Sequence, residues 1–467
     1  PAMRQRDELS VIGAAGYRLN RRRLLRAAAA SGMAALGLIP STIRPGRFVR
    51  ADTTINVLAP QWPQGPKEQA LAEEWSKQSG IAVTFDAVNY ANLEQRVKLL
   101  VDGESTDYDI YDYDSQWIGG FVQAGALERL DTPDYLGASG VAIRMGDFFP
   151  EITSRLCQYP AAEPNAQSSA PSPVYGLPWS LNCEVLWYRT DLMDAPPASW
   201  DDLRIQAKAL TTSDVFGYAT EGGRDADWII SEFAPIAWSN GGQLWDPATY
   251  TADGNLNSGQ NAASLKFLAD MVNGDKSIDP ASANWTITER LGALLTGKAA
   301  MCLNWSPLFG GVADDTTESQ VAGRVGYALS PKGSAGQAAL FGCQGTGINA
   351  YSQHKAEAWQ YLQFLQSKET QAALMEDAPS GFVSARNDLR ETATLPWQKV
   401  FLDSIPHLRD IWNLPEYAQL LQILQTELNL AYVGQKDPQK ALDDAAQAQQ
   451  QVLDSSPGNP KNATPTA

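Results

Sequence analysis

The chain has 467 residues, a formal net charge of −17, 44% hydrophobic residues and 19% charged residues, an ordinary composition for a soluble globular protein with room for two or three domains. Its acidic balance argues against nucleic acid as a partner, because phosphate binding needs a basic surface. Two histidines, His354 and His407, and four scattered cysteines with no C-x-x-C pattern argue against zinc or redox catalysis.

The first 51 residues run against that balance, with ten arginines against Asp7 and Glu8, so the remainder is more acidic than the whole. Asn20 to Arg26 is strongly basic, and a short Ala/Gly-rich apolar run from Ala27 to Ile39 follows it and stops at Pro40. A basic start, a short apolar stretch and a small residue at Val49-Arg50-Ala51 make a secretory signal, expected to be cleaved after Ala51. Its paired arginines and weak apolar run are similar to a twin-arginine signal, which exports folded proteins. The apolar run is too short to span a bilayer, which disfavours the alternative of a membrane anchor. No cysteine follows the signal where lipid could attach, so the mature chain is expected free in the periplasm.

The mature sequence opens with a strand, Thr54 to Leu58, then Gln61-Trp62 and a helix over Lys67–Gln78 with Leu71 and Trp75 on its inner face. Ile81 to Val88 is a second strand, followed by Asn89-Tyr90 and a helix from Asn92 to about Val101. Asp107 to Tyr113 is a third, followed by Asp114-Ser115-Gln116-Trp117 and a helix to Ala124. Three strand–loop–helix units predict an open, mostly parallel sheet flanked by helices. Ligands of such sheets bind beyond the carboxyl ends of the strands, where this chain repeatedly sets polar groups beside aromatics.

Ala161 to Pro173 is Pro/Ser/Ala-rich and reads as a surface excursion. Val174 to Leu192 (VYGLPWSLNCEVLWYRTDL) reads as a buried strand that leaves one body and enters another, picking up Asn182 and Glu184 on the way. An ordinary strand–loop–helix within one domain fits the same residues. Ser199 reads as the N-cap of a helix over Trp200–Leu210. A strand at Phe216–Ala219, a helix through Ile236 and a helix over Asn261–Asn273 follow. Next come a strand Ala299–Leu303 ending on Asn304-Trp305-Ser306, strands at Val325–Leu329 and Leu340–Ala350, and a helix over Lys355–Gln366. From Ser455 the tail is polar and Pro-rich and is expected to be disordered.

Several of these stretches, in order, are those of a family. They are Tyr175–Leu192 followed by Ser199-Trp200-Asp201-Asp202-Leu203, Gly297-Lys298-Ala299-Ala300-Met301, and Val325–Lys332. Gly345–Ala350 leading into the Trp359 helix, Gly381–Arg386, and Pro415–Leu453 with Pro438–Leu442 continue the series. The mature chain resembles the periplasmic solute-binding proteins of ABC importers, family 1, the carbohydrate-binding group that includes maltose-binding protein. The resemblance implies an α/β protein of two lobes, each a central mostly parallel sheet flanked by helices, joined by crossing strands. One lobe would be roughly 52–181 plus 346–382, the other 182–343 plus 386–454. A carbohydrate would be held between them and passed to a membrane permease, without catalysis or cofactor, by a monomer.

Sugars present apolar C–H faces to aromatic rings and a rim of hydroxyls to amides and carboxylates. The resemblance places Trp62, Tyr113, Gln116 and Trp117 at the cleft edge of the first lobe, Asn182 at the hinge, and Trp238, Asn240 and Trp305 on facing loops. Gln61, Tyr90, Asp114, Trp179, Trp228 and Gln344 complete the candidate set. Core packing is the competing reading for each tryptophan, while Trp187, Trp200 and Trp359 read as core outright. Asp114 and Asp227 are candidates for bonding hydroxyls or for capping helices. At Gly342-Cys343-Gln344-Gly345 many relatives place a tryptophan, so one stacking platform is absent or replaced by the Gln344 amide. Residue patterning alone leaves the cysteines as any of three full pairings or as free thiols; the resemblance sets Cys183 and Cys343 on neighbouring hinge strands, close enough to pair. Two alternatives carry other chemistry. A polyamine would use Asp112, Asp114, Glu184 and Asp227, and a glycosidase would need two acids roughly 5–10 Å apart, which no motif fixes.

Overall fold

The computed structural model describes residues 53–141, 143–160 and 172–462. The export signal with its cleavage site, most of the Pro/Ser/Ala-rich excursion and the last five residues lie outside the described residues. The first sheet is built from β1 (Thr53–Pro60), β2 (Ile81–Val88), β3 (Ile110–Asp114) and β4 (Leu177–Ser180). The second contains β5 (Cys183–Arg189), β6 (Met301–Ser306) and β7 (Val325–Ala328). A short strand β8 (Ala339–Leu340) precedes β9 (Gln344–Ile348), which returns to the first sheet, and β10 (Leu408–Arg409) pairs with β8.

The five-stranded sheet has the order β2-β1-β3-β9-β4 and the three-stranded sheet the order β6-β5-β7. In the first, β1 runs parallel to β2 and β3, whereas β9 is antiparallel to both β3 and β4. In the second, β5 is antiparallel to both β6 and β7. Each sheet therefore consists of strands in one direction with a single reversed member. The reversed strands, β5 and β9, are the two that enter from elsewhere, across Leu181–Asn182 and Gly342–Cys343. A strand arriving at the end where its neighbours finish must run away from that end, so reversal follows from crossing. Two reversed strands thus start where β1, β2, β3 and β6 stop, and those ends face one another.

Helices fill the connections: α1 (Gly65–Ser79), α2 (Tyr90–Asp102), α3 (Ile118–Gln123) and α4 (Pro150–Leu156) with the first sheet, then α5 (Trp200–Leu210), α6 (Trp228–Ser239), α7 (Gly259–Asn273) and α8 (Ile287–Leu295). After β6 come α9 (Gly310–Asp314), α10 (Lys355–Leu365), α11 (Lys368–Met375), α12 (Pro396–Ser404), α13 (Tyr417–Tyr432) and α14 (Pro438–Ser455). Local chemistry sets several starts. Asn89 caps α2 by accepting from the Ala91 amide at 3.0 Å, and Ser199 caps α5 by accepting from the Asp202 amide at 3.1 Å. Thr286 and Glu289 form a capping box on α8. Trp187, Trp200 and Trp359 are buried, as expected of core residues.

Three expectations need correction. Phe216–Ala219 makes only isolated parallel bridges to Ala299 and Cys302 rather than a strand. The tail is ordered as far as Asn462: Ser456 and Asn459 are buried, and the Asn459 amide donates to the Leu453 carbonyl at 2.9 Å. Polar composition hid this, because the Asn459 and Asn462 amides donate to the Leu453 and Asp454 carbonyls at the end of α14. Finally, all four cysteines are buried free thiols, and Cys343 donates to the Asn182 carbonyl at 3.3 Å rather than bonding Cys183. Among the described residues no helix is long and apolar enough to cross a membrane.

Candidate ligand-binding cleft

Where the strand ends face one another, Trp62, Tyr90, Asp114, Asn182, Asp227, Trp228, Ile287, Trp305, Leu308, Gly342 and Gln344 line one gap. Trp62 and Tyr90 follow β1 and β2, Asp114 ends β3, and Asn182 and Gly342 sit on the two crossings. Trp228 and Ile287 open α6 and α8, and Trp305 is the last residue but one of β6. Chain segments far apart in sequence are gathered because strand and helix termini carry them to one place.

Tyr90 is the hub of the aromatic groups. Its ring lies 5.5 Å from Trp62, 5.3 Å from Trp117 in a stacked arrangement, and 6.1 Å from Trp228. Trp62 also meets Phe309 edge-on at 6.1 Å. Trp117 is therefore one ring behind the gap, buttressing Tyr90 instead of lining it. On the far wall, a Cβ at Gly342 would fall 2.1 Å from the Trp305 ring and 2.7 Å from the Asn182 side-chain oxygen. Glycine at this crossing is what lets the Trp305 ring lie flat against the backbone, so a tryptophan missing from this segment leaves space that Trp305 occupies.

The polar groups form one chain of hydrogen bonds. Gln344 donates to Asp114 Oδ2 at 2.9 Å and to the Gly342 carbonyl at 2.8 Å, while accepting from Asn182 at 3.3 Å. Asp114 also accepts from the Tyr90 hydroxyl at 3.1 Å and from the Ser115 amide at 2.8 Å. Gln116 donates to the Tyr90 hydroxyl at 3.3 Å and, across the gap, to Asp227 Oδ2 at 3.1 Å. These direct bridges and ring contacts hold the two walls together. The remaining cavity is about 20 Å³, close to the space of one water molecule and far below the ~300–1,000 Å³ of small-molecule sites. A solute must part the walls and replace these contacts.

Both cleft acids are hard to ionise. Burial, reinforced by Asp227, pushes the Asp114 carboxyl well above the usual range despite the bonds from Gln344 and Tyr90. Burial lifts Asp227 to about 6. Behind them, loss of solvation lifts Asp410 to about 6, against the pull of Ser115 and Arg155. Among the described residues no lysine, arginine or histidine lines the gap.

One turn farther into the second wall the arrangement differs. Arg290 on α8, wholly buried, reaches Glu184 at 2.6 Å, Glu232 at 2.9 Å and Glu221 at 3.3 Å through a single nitrogen. Burial opposes the guanidinium charge, but the three glutamates outweigh it and keep Arg290 protonated. Burial likewise lifts the glutamates, Glu221 to about 8, against the pull of Arg290. Because α6 carries both Trp228 and Glu232, and α8 both Ile287 and Arg290, this cluster ties the two cleft-lining helix starts to β5. It is a brace behind the binding surface.

Seven candidates thus line the gap: Trp62, Tyr90, Asp114, Asn182, Trp228, Trp305 and Gln344. Gln116 and Trp117 stand directly behind. Five stand apart. Gln61 is exposed and donates to the Ala87 carbonyl at 3.1 Å. Tyr113, one residue from Asp114, is turned to the opposite face of the sheet, where its hydroxyl donates to the Leu156 carbonyl at 2.8 Å. Trp179 packs on Phe382 with ring centres 5.4 Å apart. Trp238 and Asn240 belong to the far end of α6, roughly 15 Å along the axis from Trp228; Trp238 lies under Arg409, and Asn240 donates to the Ile236 carbonyl at 3.0 Å. Ile287, Leu308 and Tyr417, whose hydroxyl accepts from Gln116 at 3.5 Å, are not singled out by the sequence. The capping box at Thr286 marks where Ile287 begins a helix, but nothing local says what that helix start faces.

A second, more open depression of about 390 Å³ is lined by Asn56, Thr84, Phe85, Asp86, Asp107 and Tyr108, all from the first sheet and its flanks. Its polar groups bond one another, Tyr108 donating to Asp86 at 2.5 Å, and no second wall closes over them.

Residues 59–372 match the family pattern described as bacterial extracellular solute-binding protein. A protein of Sinorhizobium fredii named as a probable amino-acid ABC transporter periplasmic-binding protein is 22% identical over 444 residues, covering 89% of this chain and 94% of its own length. Among solved structures, maltose-bound MalE3 of T. maritima superposes with a TM-score of 0.74 at 20% identity, covering 86% of this chain and 100% of that one. An ABC transporter solute-binding protein of Agrobacterium radiobacter in complex with ribitol gives 0.73 at 22% identity, covering 86% and 99%. Likeness at this level shows the fold, two α/β lobes.

Proposed function

The chain belongs to the bacterial extracellular solute-binding protein family, and from that premise we propose that it captures a sugar or polyol between its lobes and delivers it to the permease of an ABC importer. The observation that carries the ligand class is the meeting of Trp62, Tyr90, Trp228 and Trp305 with carboxylates and amides around one gap bounded by both sheets. Ring faces suit the C–H faces of a sugar or polyol, and the polar groups suit its hydroxyls. Closed structures of this kind are stabilised when a solute bridges both walls. The lobes are taken as residues 52–181 with 346–382 and residues 182–343 with 386–454, changing over at the two crossings. The protein works as a monomer in the periplasm after loss of a twin-arginine-type signal at Ala51, and makes or breaks no bond in its solute.

A relative named for amino acids favours a rival. An amino acid needs a partner for its carboxylate, however, and the gap offers no basic side chain. A thermal-shift screen over sugars, polyols and amino acids tests the reading, since a bound solute raises Tm with the logarithm of its concentration. Stabilisation by sugars or polyols, with the solute recovered unchanged, is the expected result. Stabilisation by amino acids alone would sink it.

A further inference from the structure

The cleft acids and the brace behind them are treated differently. Arg290 stands among Glu184, Glu221 and Glu232, whereas Asp114 and Asp227 are bonded by neutral donors: Gln344, Tyr90 and a backbone amide for the first, Gln116 and Tyr90 for the second. Two buried carboxylates facing one gap, with no basic side chain among the residues that line it, are costly unless a cation joins them. The same gap is walled by the faces of Trp62, Tyr90, Trp228 and Trp305, and aromatic faces attract cations. Resting on the sugar or polyol reading, we infer that the preferred solute carries a protonated amine on its hydroxylated carbon frame, as in an amino sugar or amino polyol, with the ammonium placed between Asp114 and Asp227. A neutral sugar would donate hydroxyl hydrogen bonds to these carboxylates but leave their charge uncompensated. An ammonium supplies the missing cation and donates to the remaining lone pairs of both carboxylates. The raised affinity of both acids for protons agrees with this, since Arg290, already shared among three glutamates, only partly offsets the burial of Asp227.

The test is isothermal titration of the full mature chain at pH 7.5 with matched pairs: glucose and glucosamine, galactose and galactosamine, mannose and mannosamine, glucitol and glucamine. The amine member of at least one pair should bind about tenfold or more tightly than its neutral partner, the margin expected when a neutral hydrogen bond becomes a charge-assisted one. In Asp227→Asn the ratio of amine to neutral affinity within a pair should fall toward one. Equal affinities within each pair, or binding by neutral members only, would overturn the inference and leave the sugar or polyol reading standing. Binding by none of the eight, nor by any other sugar or polyol, would remove both. The wild-type comparison decides the matter even if the variant does not fold.

Discussion

Two groups of buried acids sit about one helical turn apart and solve the same problem in opposite ways. Glu184, Glu221 and Glu232 surround a resident cation, Arg290, and their work is internal: they hold α6, α8 and β5 in register. Asp114 and Asp227 surround none, and are held by tyrosine and amide donors that a ligand can displace. Where charge serves the fold, the chain supplies its own counter-charge. Where charge faces the gap, the counter-charge is left to the solute, and the free protein bears the cost.

Removing the resident cation should have the largest effect. Arg290→Met leaves three buried carboxylates without their partner, and should cost about 3–5 kcal/mol at pH 8 in urea unfolding. The loss should shrink toward pH 5, where the glutamates can protonate. A loss that does not vary with pH would mean that packing, not charge, holds the brace.

The opposite sign is expected in the cleft. Asp227 has a folded-state pKa raised to about 6, so as pH rises from about 4 toward 6 the unfolded chain releases its proton first and the folded state loses stability. Asp227→Asn should therefore stabilise the unliganded protein by about 3 kcal/mol at pH 8 and hardly at all at pH 4. The groups facing this carboxyl, Tyr90, Glu94, Asp114, Gln116, Tyr417 and the more distant Arg290, are unchanged by the substitution. Amine binding by the wild type should strengthen as pH rises through about 6, whereas neutral sugars should lack that rise.

A smaller effect is expected at Gly342. A methyl group there meets the Trp305 ring and the Asn182 oxygen, so Gly342→Ala should cost about 1–3 kcal/mol and weaken ligand binding by turning Trp305 from the gap. Unchanged affinity would remove Trp305 from the proposed contacts. Smallest is Tyr113→Phe, which deletes the bond to the Leu156 carbonyl. It should cost about 1 kcal/mol in stability and leave ligand affinity untouched, because that ring lies on the other face of β3. A drop in affinity would bring Tyr113 back into the site.

Much of this organisation is legible in the sequence. The strand–loop–helix units and the cap at Ser199 follow from local periodicity and capping chemistry, which act over a few residues, whereas the crossing near Asn182 comes from the family resemblance. The recurrence of polar–aromatic pairs at strand ends is equally local, and through it Trp62, Tyr90 and Asp114 of the gap's lining are legible. Whether a given tryptophan looks into the gap or into a core is a matter of facing, set by strand register and by position along a helix. Trp228 and Trp238 lie on one helix with similar surroundings in sequence, yet only the first reaches the cleft. Tertiary structure alone decided that Tyr113 turns away while Asp114 turns in, that Gly342 makes room for Trp305, and that Arg290 finds three glutamates. Each depends on contacts between segments many residues apart, and no local preference encodes them.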